Sequence, residues 1–133
     1  MLHSVRLEDC LLRRPVTVKA EQNIMEAIEQ ILQHKISGLC VVDDDNNLVG
    51  VLSELDCLRA ILGAVYNEGG VGPVRDYMTT SDLKLAGPNA NIVDIAQDML
   101  NDHLRRRPVV EDGKLVGQIT CRQLLKAVRD FRR

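Results

Sequence analysis

The sequence predicts an α+β fold made of two copies of one β-α-β-β-α unit, and three observations lead there. The chain repeats itself at a separation of 67 to 68 positions. Asn23-Ile24-Met25-Glu26 returns as Asn91-Ile92-Val93-Asp94, Val41-Val42 as Val109-Val110, and Leu48-Val49-Gly50 as Leu115-Val116-Gly117. Within each copy the apolar spacing switches between strand-like and helix-like periods. The composition is 45% hydrophobic, with 41 Val, Ile and Leu residues against three aromatic rings, so the core must be aliphatic. A chain of 133 residues can bury roughly two-thirds of its unfolded surface.

Each copy opens with a β-prone piece, Val16-Thr17-Val18 in the first and Leu83-Lys84-Leu85 in the second. A helix follows, started by an Asn cap with an acid three residues on: Asn23 with Glu26, Asn91 with Asp94. Ile24, Ala27, Ile28, Ile31 and Leu32 give that helix one apolar stripe, and Ile92, Ile95, Ala96, Met99 and Leu100 do the same for its counterpart. Two strands come next, Leu39 to Val42 with Leu48 to Leu52, then Pro108 to Val110 with Leu115 to Ile119. Their connections, Asp43-Asp44-Asp45-Asn46-Asn47 and Glu111-Asp112-Gly113-Lys114, read as hairpin turns, and their difference in length explains the change of shift from 68 to 67. A second helix opens at Ser53 and at Thr120. The one after Ser53 is apolar nearly all round (Leu55, Cys57, Leu58, Ala60, Ile61, Leu62, Ala64, Val65), more than one buried face requires, which predicts a homodimer through it.

Gly69-Gly70-Val71-Gly72-Pro73 is the one obvious loop. The expected organisation is a first repeat with its N-terminal segment over 1–66, a Gly/Pro linker over 67–75, and a second repeat with the C-terminal helix over 76–133. A unit of about 65 residues is marginal alone, so the two are expected to pack together.

Several classes of function are disfavoured. Net charge is −2, which speaks against a nucleic-acid footprint spread over a whole face, and three rings (Tyr66, Tyr77, Phe131) cannot build a base-stacking platform. Apolar runs fall well short of the roughly 18 to 20 residues needed to cross a bilayer, and the N-terminus lacks a signal-peptide pattern, so the expectation is a soluble, cytoplasmic protein. Cys10, Cys40, Cys57 and Cys121 form no Cys-x-x-Cys and read as small buried or half-buried hydrophobes. His3, His34 and His103 are isolated, without a nucleophile and base or a metal-ligand spacing, so no catalytic or metal-binding residue and no enzyme activity is expected. Asp43-Asp44-Asp45 lacks the glycine and terminal glutamate of a calcium loop and reads as a solvated turn.

The hairpin of copy one ends in Gly50-Val51-Leu52-Ser53-Glu54-Leu55-Asp56. With the repeat, the hairpin valines and the preceding helix, this resembles a stand-alone CBS-domain pair, or Bateman module, over roughly residues 9 to 130. The family pattern is Gly-hydrophobic-hydrophobic-Ser/Thr-x-x-Asp. Copy two, Gly117-Gln118-Ile119-Thr120-Cys121-Arg122-Gln123, keeps the hydroxyl but has Gln123 for the acid. The resemblance implies two repeats related by a pseudo-two-fold axis, small sheets packed with helices, and a non-catalytic regulatory module. Such a module binds an adenine nucleotide in the cleft between its repeats and modulates another protein.

On that resemblance the main nucleotide site comprises Ser53 and Asp56 with Leu83, Lys84, Gly87, Leu104, Arg105 and Arg106, the ribose lying on Asp56 and the phosphate on Ser53. A degenerate site comprises Thr120 and Gln123 with Arg14, Val16, Lys19, Ile36 and Ser37. Gln123 lacks the acid's charge, which costs about 1 to 3 kcal/mol of binding. A helix N-terminus bearing a hydroxyl suits a phosphate, an acid can accept both ribose hydroxyls, and an arginine fork donates two parallel charge-assisted bonds. Two arginines point to AMP, ADP or ATP over S-adenosylmethionine, and no further cofactor is implied. His103 is given no role, and Arg107 falls on the other side of an extended strand. Two readings stay open beside this one. Capping alone accounts for Ser53 with Asp56 and for Thr120 with Gln123, which would suit a structural dimerisation module without ligand. Arg105 to Arg107 with Arg129, Arg132 and Arg133 would suit nucleic acid.

Overall fold

The computed structural model describes residues 5–131, and they form two compact units that do not follow the order of the repeats. A central unit holds Val16–Leu83; a composite unit holds the N-terminal segment through Pro15 together with the chain from Lys84 onward.

In the central unit the elements are β2 (Thr17–Val18), α2 (Ile24–His34), β3 (Gly38–Val42), β4 (Leu48–Ser53), α3 (Glu54–Tyr66) and a 3-10 turn over Val74–Asp76. Asn23 caps α2 as expected, its side chain accepting the Met25 N–H at 2.8 Å, while Glu26 takes the Gln22 side-chain amide instead of closing a box. Lys35 ends the helix in the left-handed region, φ 54°, where its N–H reaches the Ile31 and Leu32 carbonyls. The sheet order is β2-β3-β4, with β2 parallel and β4 antiparallel to β3. Ile24, Ala27, Ile31, Leu39, Val41 and Leu52 are buried between helices and sheet, each larger aliphatic contributing about 1.5 to 3 kcal/mol. Leu32, the last residue of the stripe, is exposed.

Val74 is fully buried in this core, and the segment after the Gly69–Pro73 loop is sewn to it. The Ile24 N–H donates to the Gly72 carbonyl at 3.0 Å, and Val51 and Thr79 exchange two backbone bonds at 3.0 and 2.8 Å.

The composite unit holds a short helix α1 (Leu7–Cys10), β1 (Leu12–Arg13), α4 (Ile92–Asp102), β5 (Arg106–Glu111), β6 (Lys114–Thr120) and α5 (Cys121–Phe131). Its sheet order is β1-β6-β5, all antiparallel. The repeat shows in detail. Asn91 caps α4, His103 ends it at φ 55°, and β5–β6 shifts register between Val109 and Val110 as β3–β4 does between Val41 and Val42. His103, given no role from the sequence, is therefore the counterpart of Lys35.

Two sequence expectations need correction. Leu83 to Leu85 is not a strand: the parallel pairing occurs only at Ala86, whose N–H donates to Pro108 and whose carbonyl accepts from Val110, both at 2.9 Å. Gly87 and Pro88 open a turn immediately, with the Ala90 N–H on the Gly87 carbonyl, so the ladder stops there. Cys121 is exposed, because it is the first residue of α5, whereas Cys10, Cys40 and Cys57 are buried. No helix among the described residues is long and apolar enough to cross a membrane.

Candidate functional site

Ser53 is the last residue of β4 and, in extended conformation, the N-cap of α3. Its hydroxyl accepts the Asp56 N–H at 3.1 Å, and its own N–H donates to Asp56 Oδ2 at 2.9 Å, closing a reciprocal capping box. The Glu54 N–H is taken by the Ser37 carbonyl at 3.0 Å. The Asp56 side chain is only 7% exposed. Thr79 Oγ donates to its Oδ2 at 3.5 Å, and the Arg59 guanidinium meets Oδ1 at 3.0 Å. Thr79 and Arg59 escaped the sequence reading. In the structure Thr79 is the counterpart of Leu12, which pairs with Gln118 as Thr79 pairs with Val51. Beside this carboxylate, burial pushes the Cys57 thiol pKa up, with Asp56 and Glu54 adding to the shift.

In the composite unit Thr120 stands at the same junction. Its hydroxyl accepts the Gln123 N–H at 3.1 Å, and the Cys121 N–H goes to the Arg105 carbonyl at 2.9 Å, so Arg105 is the counterpart of Ser37. The reciprocal bond from the Gln123 side chain is absent among the described residues. Arg106 lies directly opposite Thr120 in the β5–β6 ladder, on the same face of the sheet. Its counterpart opposite Ser53 is Gly38. The two junctions thus differ in kind: the first has an acid and no cross-strand arginine, the second an arginine and no acid. Arg106, which the sequence reading gave to the Ser53 set, is thus also a cross-strand neighbour of Thr120.

Arg107, the next residue, turns inward, 5% exposed, and pairs with Asp102 at 3.3 Å and Asp98 at 3.9 Å. Lys84, Gly87, Leu104 and Arg105 are exposed and Leu83 is half-buried. Ser53, Asp56 and Leu83 belong to the central unit, and the rest of the main set to the composite unit. Of the second set, Thr120, Gln123 and an exposed Arg14 belong to the composite unit; Val16, Lys19, Ile36 and Ser37 are half-buried in the central one. Lys19 is already engaged, its Nζ on the Asp43 carbonyl at 3.0 Å and on Asp44 Oδ1 at 3.1 Å. The same turn is closed by Asp43 accepting the Asp45 and Asn47 N–H groups, which gives the acidic run a structural use. No group of His, Cys, Asp or Glu among the described residues could hold a metal. Arg129 pairs with Asp130 at 3.0 Å; Arg132, Arg133 and His3 lie outside the described residues.

Away from these junctions, α2 and α3 enclose an apolar groove of about 270 Å³ lined by Ile28, Leu32, Leu58 and Ile61 among others. Along α3, Leu55, Leu58, Leu62, Val65 and Tyr66 are all more than half exposed.

The CBS domain family model matches the chain twice, over residues 7–63 and 74–130. An uncharacterized protein of Methanocaldococcus jannaschii is 37% identical over 111 residues, 84% of this chain and 38% of that protein. Inosine-5'-monophosphate dehydrogenase of Aquifex aeolicus is 32% identical over 121 residues, 90% of this chain but 24% of the enzyme. The chain therefore spans well under two-thirds of these relatives. The crystal structure of CBSX2, a protein of Arabidopsis thaliana, in complex with AMP is 32% identical, covers 96% of this chain and 98% of that chain, and superposes with a TM-score of 0.84.

Proposed function

Because the chain belongs to the CBS-domain family, carrying the domain twice, we propose that it is a non-catalytic regulatory module that binds an adenine nucleotide and modulates another protein. The observation that carries this reading is the likeness to CBSX2, whose structure contains AMP and matches along nearly all of both chains. Asp56, fixed by Ser53 and Thr79, is assigned the ribose. In the composite unit, Lys84, Arg105 and Arg106 are proposed as phosphate-binding residues. Arg106 also serves the Thr120 junction that it faces across the ladder. The nucleotide acts by favouring one arrangement of the protein through its differential affinity for it.

Calorimetric titration with AMP, ADP, ATP and S-adenosylmethionine tests the proposal. Heat with at least one adenine nucleotide, weakened far more by Asp56→Ala than by Gln123→Ala, is expected; no heat with any of them at millimolar concentration overturns it. The completed Ser53–Asp56 box favours a second reading, a structural dimerisation module in which both residues only cap α3. That reading predicts a melting temperature unmoved by nucleotide. Both readings include a homodimer through the exposed apolar side of α3, tested by light scattering on the eluting protein; a monomer at micromolar concentration overturns it.

A further inference from the structure

The bonds to Asp56 leave Oδ1 the less occupied of its two oxygens. Oδ2 already accepts the Ser53 N–H at 2.9 Å and the Thr79 hydroxyl at 3.5 Å. Oδ1 accepts one donor, the Arg59 guanidinium at 3.0 Å, and has room for one more, whereas a ribose brings two hydroxyls. A ribose must bring its hydroxyls to this carboxylate, and the Oδ2 donors cannot leave cheaply. Losing the Ser53 bond opens the capping box at the start of α3, and the Thr79 hydroxyl stands on a main chain fixed to β4 by two backbone bonds. Arg59 differs. Its side chain is 69% exposed, it sits one turn along α3, and turning it into solvent breaks one ion pair and no backbone structure.

We infer that Arg59 is a competitive gate on the ribose-accepting carboxylate: its guanidinium occupies Oδ1 of Asp56, and an adenosine ligand binds by displacing it. The inference rests on the reading that Asp56 receives the ribose. The gate sets affinity from outside the ligand contacts, since an exposed ion pair opposes binding by a modest, salt-dependent amount.

The probe is adenosine, which carries no phosphate for arginines to hold. Arg59→Gln is expected to bind it two- to fivefold more tightly than the parent chain, on the order of an exposed ion pair, and Arg59→Lys, which keeps the charge, to remain near the parent. Salt supplies a readout that a structural role would not move. Raising it from about 50 to 500 mM should tighten adenosine binding by the parent, because the competing pair is screened, and leave Arg59→Gln unchanged. If adenosine does not bind the parent, or binds Asp56→Ala equally well, the ribose assignment fails and the gate with it. If binding depends on Asp56 but Arg59→Gln binds no more tightly, or salt affects both proteins alike, the gate alone is overturned.

Discussion

Single residues carry most of the chemistry of the two strand-to-helix junctions. Asp56→Ala removes the acceptor of the Ser53 N–H and should cost about 1 kcal/mol of unfolding free energy, read from the denaturant midpoint. Gln123→Ala touches only a side chain outside any box and should change stability by less than about 0.5 kcal/mol. The cysteines give an independent check. A thiol reagent should titrate one group, Cys121, in the native protein and four after denaturation. The buried Cys57 thiol, its pKa raised by desolvation, keeps its proton at a pH where the unfolded chain has released it near 8.5. The native state then binds more protons than the unfolded one, so stability is full below that pH and falls as pH rises past it. Denaturation midpoints should drop between pH 7 and 9.5, and by less in Cys57→Ala. Ser53 and Asp56 were legible from their spacing. Arg59 was not: an i, i+3 pair on a helix is common, and only the burial of its partner distinguishes this one.

At the scale of elements, the shift of 67 to 68 residues made both helix-and-hairpin units readable, because caps, stripes and turns recur together. What it missed was the segment before each unit. These stretches are short and lie against a glycine. A Cβ on Gly50 would meet the Thr79 carbonyl and Met78 Sδ, both at 2.9 Å, and one on Gly117 would meet the Leu12 carbonyl at 2.6 Å. Two glycines at matching positions let a neighbouring backbone approach β4 and β6, a constraint that comes from packing and has no local pattern. Gly117→Ala and Gly50→Ala should each destabilise by about 1 to 3 kcal/mol through overpacking. Gly63→Ala, in the open middle of α3, should stabilise by about 0.5 to 1 kcal/mol. Equal melting temperatures for all three would contradict the close approach. The exposed apolar side of α3 was also foreseen, since eight apolar residues in twelve exceed what one face can bury.

For the whole molecule, the sequence predicted the number of units but not their cut. The repeats follow one another along the chain, whereas the compact units exchange their leading segments: Val74 completes the central core, and Val5 and Cys10 complete the composite one. Periodicity could not reveal this, because it reports which residues are apolar and not which core receives them. Deleting residues 5–13 should therefore damage the composite unit selectively. Hydrogen exchange should accelerate in β5 and β6 while β3 and β4 stay protected, and uniform loss over both sheets would refute the division.

The pairing of β1 with β6 also orders events in time. Residues 16–83 hold all the partners of their own sheet and can close while the remainder is still being synthesised. Leu12 has no such option. Synthesised ahead of the central unit, it must wait for Gln118, which follows that unit in the chain, so β1 pairs only after β2, β3 and β4 have had the chance to close.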